Sequence, residues 1–290
     1  MKILITGITS IHGWPMYLFF QKKYGKDNIF GIYPNKMRKY FEEEKNVFAC
    51  EIEDKEELSN IFSKIKPTAV IHAGGVCDLD LCEENPEFAY NINVCGARNI
   101  VELLPHDSYL MYISSDLVFS GKQPLQYGYN EECVPDPVSV VGKTYLQAER
   151  EIQRFTKYAI VRIGLPIGAS ISGKKGAVDF IEERLKKNKR MTLFYDEIRS
   201  VICTQRLAQG IASLFEKKVQ GFFHYGGPKG VSLYDIGKHI LEKNNYNKKY
   251  LIKESKEQEI NGPPRIGDVK LNSQKAYEFL DFEVTTGLES

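Results

Sequence analysis

The chain has 290 residues, enough for one large α/β domain or for a nucleotide-binding domain with a smaller lobe. Its 39 Lys and Arg residues balance 38 Asp and Glu, so a formal charge of +1 gives no electrostatic reason to expect nucleic acid or an anionic membrane as partner. With 42% hydrophobic and 27% charged residues the composition is that of a folded protein, and no apolar run approaches the roughly 20 residues that span a bilayer.

The opening MKILITG passes directly into a Thr-Gly pair. It reads as a first strand, Lys2–Thr6, and not as a signal peptide, which points to the cytoplasm. Amphipathic stretches at Trp14–Lys23, Lys55–Ile65, Pro86–Leu104 and Val138–Phe155 alternate with further β-branched runs. Those runs are Ile29–Tyr33, Val47–Cys50, Ala69–His72, Leu110–Ser114 and Ala159–Ile163. Strand and helix alternating in this way predict an α/β fold, a Rossmann-type doubly wound parallel sheet covered on both faces. Beyond Ile163 the pattern loosens into a helix near Ala177–Lys187, a strand near Met191–Phe194, a helix near Thr204–Lys217, a strand Gly221–Tyr225 and a helix Ser232–Asn244. The expected division is a dinucleotide-binding domain over 1–164, with 200–228 returning to it. A small C-terminal α/β substrate lobe takes 165–199 and 229–290. Six scattered cysteines without a CxxC pair, and five dispersed histidines, predict no zinc site.

The segment ITGITSIHG follows the first strand and opens the first helix. Gly7 permits a tight turn, Gly13 permits close helix packing, and the N–H groups at the helix start face a pyrophosphate. The middle position of a three-glycine fingerprint is Ser10, which adds a side chain where backbone should approach the ligand. Gly7, Ser10, Ile11 and Gly13 are therefore the candidate pyrophosphate residues, the alternative being a plain strand-to-helix turn. After the second strand, PNKMRK carries no acid to accept from a ribose 2′-hydroxyl. Lys36 and Arg38 there favour NADP over NAD, unless they form only a solvated basic turn. Glu51 and Ile52, after the third strand, fall near the adenine in such a fold.

Several stretches together resemble the extended short-chain dehydrogenases/reductases, in the branch of dTDP-4-dehydrorhamnose reductase and the regulatory β subunit of methionine adenosyltransferase. They are VIHAGGVCDLDLCEENPEFAYNINVCGARNI, YISSDLVFSG, YNEECVPDPVSVVGKTYLQAE, LFYDEIRS, GFFHYGG and PPRIGDVKLNSQKA. The resemblance implies a pyridine nucleotide across the strand ends and a nucleotide-linked sugar in the second lobe. It places His72, Ala73 and Gly74 beside the cofactor, Asn93 near the catalytic helix, and Ser115 with Asp116 at the substrate carbonyl. Cys77 falls in a substrate-contacting loop. Arg199 and Arg265 fall where relatives contact a phosphate-bearing substrate, a task suited to the guanidinium fork; each would serve equally as an ion-pair residue.

In the family a Tyr, and a Lys four residues later, carry the proton chemistry. Here the ungapped pattern PVSVVGKTYLQAE puts Val141 at the Tyr position and Tyr145 at the Lys position. Valine exchanges no proton, and Tyr145 brings no positive charge to activate a neighbour. Lys143 lies about 200° around the helix from Val141 and should face away. Two readings follow. The first is an NADP-using, nucleotide-sugar oxidoreductase of carbohydrate biosynthesis with a non-standard acid–base group, for which Asp116, Tyr145 and Cys77 are candidates. The alternative is a non-catalytic dinucleotide- or nucleotide-sugar-binding protein, working as a homodimer or as the partner of another enzyme. The substrate-side motifs favour the first and the altered glycine turn favours the second.

Overall fold

In the computed structural model, which describes every residue except 43, 124, 169, 173–175, 260–261 and 289–290, the apolar runs of the first half become parallel strands. In chain order these are β1 (Ile3–Thr6), β2 (Ile29–Tyr33), β3 (Val47–Ala49), β4 (Ala69–His72), β5 (Tyr109–Ser115) and β6 (Tyr158–Ile163). Between them run α1 (Gly13–Tyr24), α2 (Lys55–Ile65), α3 (Leu79–Glu84), α4 (Pro86–Tyr90), α5 (Gly96–Leu103) and α6 (Val140–Ile152). The remainder comprises β7 (Leu165–Ile167), α7 (Ala177–Lys186), β8 (Met191–Phe194), β9 (Ile198–Cys203), α8 (Thr204–Glu216), β10 (Gly221–Tyr225), β11 (Gly230–Ser232), α9 (Leu233–Lys243), β12 (Leu251–Glu254) and α10 (Gln274–Tyr277).

The central sheet has seven parallel strands in the order β10-β6-β5-β4-β1-β2-β3. Its strands read as continuous apolar runs because both faces are covered. In β1, Ile3 and Ile5 join a core built with Met16, Tyr17 and Phe20 of α1 and Leu207 and Ile211 of α8. Leu4, between them, points the other way, into a core with Leu58 and Phe62 of α2, Ile100 of α5 and Ala148 of α6. The strand order reverses between β1 and β4, and in such sheets ligands bind at the carboxyl ends beside that switch point. A third core, with Ile181, Leu185, Ile236 and Ile240, holds α7 and α9 against the small strands of the lobe. There β11, β9 and β7 form a three-stranded sheet and β12 pairs with β8.

Several elements depart from expectation, among them β7, β11, β12 and α10, which the apolar patterning does not predict. The helix expected over Pro86–Leu104 is interrupted by a π-helical turn, Asn91–Cys95, where Asn93 reaches out of the helix to its neighbours. The strand β9 was not anticipated, since IRSVIC carries two polar residues in its middle. Both are buried and satisfied: Arg199 by Asp116, and Ser200 as acceptor for the Leu271 N–H. Among the described residues no helix is long and apolar enough to cross a membrane, and no group of His, Cys, Asp and Glu could hold a metal ion.

Candidate functional site

The switch point is built from two backbones in close approach. Gly7 has φ +66°, and a Cβ there would lie 2.4 Å from the Ala73 carbonyl oxygen and 2.5 Å from Gly74 Cα. The loops after β1 and β4 can touch only because residue 7 has no side chain. Thr6 ties the same loops together. Its hydroxyl accepts from the Ala73 and Gly74 N–H groups at 3.2 and 3.1 Å, which leaves its proton to donate to His72 Nδ1 at 2.7 Å. His72 is thereby the Nε2–H tautomer; that nitrogen is buried without a partner, and burial lowers the imidazole pKa to about 3.

The turn into α1 keeps the features that suit an anion. Gly13 is pressed on the loop, since a Cβ there would lie 2.2 Å from the Gly7 carbonyl oxygen. The first turn of α1 carries no acidic residue. Among the described residues, no acceptor meets the N–H groups of Ile11 and His12. A helix start of this kind favours negative charge through its oriented N–H groups. Ser10 turns its hydroxyl inward to accept from the Gly13 N–H at 2.9 Å, so the side chain at the middle fingerprint position serves the helix itself. The His12 ring bonds the Ala73 carbonyl, and burial lowers its pKa to about 4, leaving it neutral at pH 7.

Helix α6 packs on the other face of the sheet from α1. Ser139 caps it by accepting from the Gly142 N–H, and a Cβ on Gly142 would lie 2.1 Å from the Leu117 carbonyl oxygen. That contact fixes α6 against the turn carrying Ser115 and Asp116. Val141 is fully buried, while Lys143 is exposed on the outer side of the helix, as its spacing predicts. Tyr145 is 8% exposed; its hydroxyl would lie 3.0 Å from a Cβ on Gly75, and its ring lies near that of Tyr112. Burial pushes the Tyr145 phenol well above its ordinary pKa, and the Cys77 and Cys82 thiols push the same way. Asn93 joins α6 to the loop after β4. Its amide accepts from Val76 N–H at 2.8 Å and donates to the Val76 carbonyl at 3.0 Å and to Thr144 Oγ1 at 2.9 Å.

Past the end of β5, the Ser115 hydroxyl donates to Asp116. Asp116 is fully buried and Arg199 of β9 grips both its oxygens, the Nε–Oδ2 contact being 2.7 Å. Next to that pair lies Glu197, a residue the sequence motif contained without marking. Its carboxylate is 6% exposed, Oε2 has no hydrogen-bond partner, and the nearest cation is Arg265 at 3.6 Å. Burial pushes the Glu197 carboxyl up, outweighing the pull of Arg265 and Arg199. Arg265 donates from Nε to Glu259 at 2.5 Å and lies over the Phe194 ring. Cys77 is exposed in the loop after β4, where its thiol is within electrostatic reach of both Tyr145 and Arg199. Cys77 thus links the cluster and Tyr145.

On the other flank, Lys36 and Arg38 are exposed on the turn after β2. Glu51 accepts from the Asn35 N–H at 2.9 Å. Ile52 is buried against Gly96, where a Cβ would lie 2.8 Å from its Cγ2. A cavity of about 440 Å³ opens beside this turn between Arg38, Tyr33, Phe41, Phe48 and Glu57. It lies at the β3 edge of the sheet, away from Val141 and Tyr145.

The family model of the RmlD substrate binding domain matches residues 1–286. The chain belongs to the RmlD substrate-binding domain family. It is 26% identical over 258 residues to the methionine adenosyltransferase 2 subunit beta of Danio rerio, an alignment covering 87% of this chain and 76% of that protein. Its fold superposes on a hypothetical dTDP-4-dehydrorhamnose reductase from Sulfolobus tokodaii with TM-score 0.81 and 26% identity, covering 99% of this chain and 97% of that one. The dTDP-4-dehydrorhamnose reductase of Bacillus anthracis, solved in complex with NADP, gives TM-score 0.82 at 22% identity over 100% of this chain and 97% of that one. Within this RmlD family member, the seven-stranded parallel sheet is the fold shared with these reductases.

Proposed function

We propose that this chain is a pyridine-dinucleotide-binding regulatory or partner protein, with NADP as the dinucleotide and without keto-sugar reduction of its own. The observation that carries the reading is the state of Val141, Tyr145 and Asp116. Val141 is an alkyl group in the core, Tyr145 holds its proton more tightly than a free phenol, and Asp116 is consumed by Arg199. A reductase needs a group that gives up a proton near neutral pH as hydride arrives, and none of these does so.

The residues fit a dinucleotide all the same. The backbone cradle at Gly7 and Gly13 and the unmet N–H groups of Ile11 and His12 would hold the pyrophosphate. Lys36 and Arg38, with no acid after β2, would hold a 2′-phosphate, and the Tyr145 hydroxyl would reach the ribose side. A nicotinamide dinucleotide supplies hydride chemistry when bound; here the chain's residues bind and orient it and move no proton. The NADP complex of the Bacillus anthracis relative supports this choice of cofactor, and the likeness to the methionine adenosyltransferase 2 subunit beta supports a role beside another enzyme.

The oxidoreductase reading retains one observation in its favour, the separate core and small sheets that the described residues beyond Ile163 build. Both are tested together by titrating the protein with NADPH and then following NADPH absorbance with a dTDP-linked 4-keto sugar. Saturable binding without oxidation is expected. Turnover of the keto sugar would overturn the proposal, as would failure to bind NADPH.

A further inference from the structure

The lobe-side wall of the cleft carries two guanidinium groups, Arg199 and Arg265, and these are the groups with which a protein recognises phosphate. Both are already engaged by carboxylates of the chain. Arg199 is held two-pronged by Asp116. Arg265 is held by Glu259 on one side and faced by Glu197 on the other. Asp80 also lies within electrostatic reach of Arg265, so two positive groups meet four acidic side chains: Asp80, Asp116, Glu197 and Glu259.

We infer that Glu197 and Glu259 set the ligand class of this wall: by occupying Arg265 they close it to nucleoside diphosphates and leave it to a ligand that donates hydrogen bonds. The two ion pairs differ in a way that locates the control. The Arg199–Asp116 pair is shut away from water, so recruiting Arg199 to a phosphate would strand a buried carboxylate. The Arg265–Glu259 pair is partly open, with side-chain exposures of 23% and 30%, so it alone is exchangeable. A phosphate displacing Glu259 would still face Glu197, which has no freedom to leave. That like-charge contact opposes the phosphate about as strongly as one arginine at the same distance attracts it. The unmet Oε2 of Glu197 is an acceptor waiting for a donor, the opposite of what a pyrophosphate offers.

The test is calorimetric titration of the whole chain with dTDP. The native protein should show no saturable binding at this wall. Glu197→Gln with Glu259→Gln should bind dTDP saturably, at least tenfold more tightly than the detection limit set by the native titration, and adding Arg265→Ala should remove the gain. Tight dTDP binding by the native protein that Arg265→Ala abolishes would overturn the inference. So would a double variant that melts cooperatively by circular dichroism yet gains nothing. NADPH titration of the same samples reads the dinucleotide site separately, so loss of that proposal would not be mistaken for loss of this one.

Discussion

Arg199 grips both carboxylate oxygens of Asp116, which is fully buried, and is itself nearly so. Their place in the chain suggests a proton carrier and a phosphate contact; their geometry makes them a strut between β9 of the lobe and the end of β5. Asp116→Ala leaves a buried guanidinium uncompensated, and a loss of about 3–5 kcal/mol in unfolding free energy is expected. Urea denaturation measures it, and a loss below about 1 kcal/mol would return Asp116 to the list of free acids.

The glycine turn is predicted to tolerate change at one position and not at another. Gly7→Ala forces a Cβ into the Ala73 backbone at a positive φ, so NADPH binding should disappear and stability should fall. Ser10→Ala removes a cap from the Gly13 N–H and should cost about 1 kcal/mol while leaving NADPH affinity within a few-fold of native. Equal damage from both changes would mean that the Ser10 hydroxyl touches the ligand.

Asn93 is expected to act on shape. Asn93→Ala strips partners from the Val76 N–H, the Val76 carbonyl and Thr144 at once, which should cost about 2–3 kcal/mol. Asn93→Asp keeps the acceptor to the Val76 N–H and should recover part of that loss. Thermal melts of the two variants check the order.

Acid should destabilise the fold well before its carboxylates titrate. His72 and His224 are fully buried, and burial lowers both to a pKa of about 3. His224 donates from Nδ1 to the Tyr129 carbonyl and turns Nε2 toward Arg162, so a second proton has no acceptor there. In the unfolded chain both imidazoles take up a proton near pH 6.5. The stability they contribute is therefore present above that value and lost as pH falls toward their folded pKa, at about 1.4 kcal/mol per pH unit for each. Urea midpoints should drop steadily between pH 7 and pH 5; a flat profile would show that neither ring stays neutral in the fold.

Glu197 titrates with the opposite sign. Its folded pKa is raised, so the stability linked to its proton is present below the ordinary carboxylate range and lost as pH rises through the folded value. Glu197→Gln should raise the melting temperature more at pH 8 than at pH 5. A gain that does not vary with pH would sink this account.

The strands at Ile29–Tyr33, Ala69–His72 and Gly221–Tyr225 can be read residue for residue from the apolar runs, because strands covered on both faces leave an unbroken signature. The substitution at Val141 and Tyr145 is equally visible, since one helix carries both positions and its register needs only local spacing. Arg199 is different. Its partner lies 83 residues away, and nothing in either neighbourhood announces that the two will meet. Glu197 and Glu259 were hidden for the same reason: charged residues read as solvated until the fold sets them beside Arg265. The π-helical turn at Asn93 also depends on contacts with Val76 and Thr144, which no helical periodicity encodes.

The lobe segment from β7 to β9 is threaded between two neighbours in the same sheet, for β10 lies directly against β6. During synthesis the outer edge of Tyr158–Ile163 therefore stays bare until Gly221–Tyr225 has left the ribosome. An intermediate of that length displays an apolar strand with its N–H and C=O groups unmet, the kind of edge that recruits another chain. Fragments that stop before β10 should accumulate as aggregates, whereas those that include it should stay dispersed, so the lobe cannot be pared away without replacing the strand that follows it.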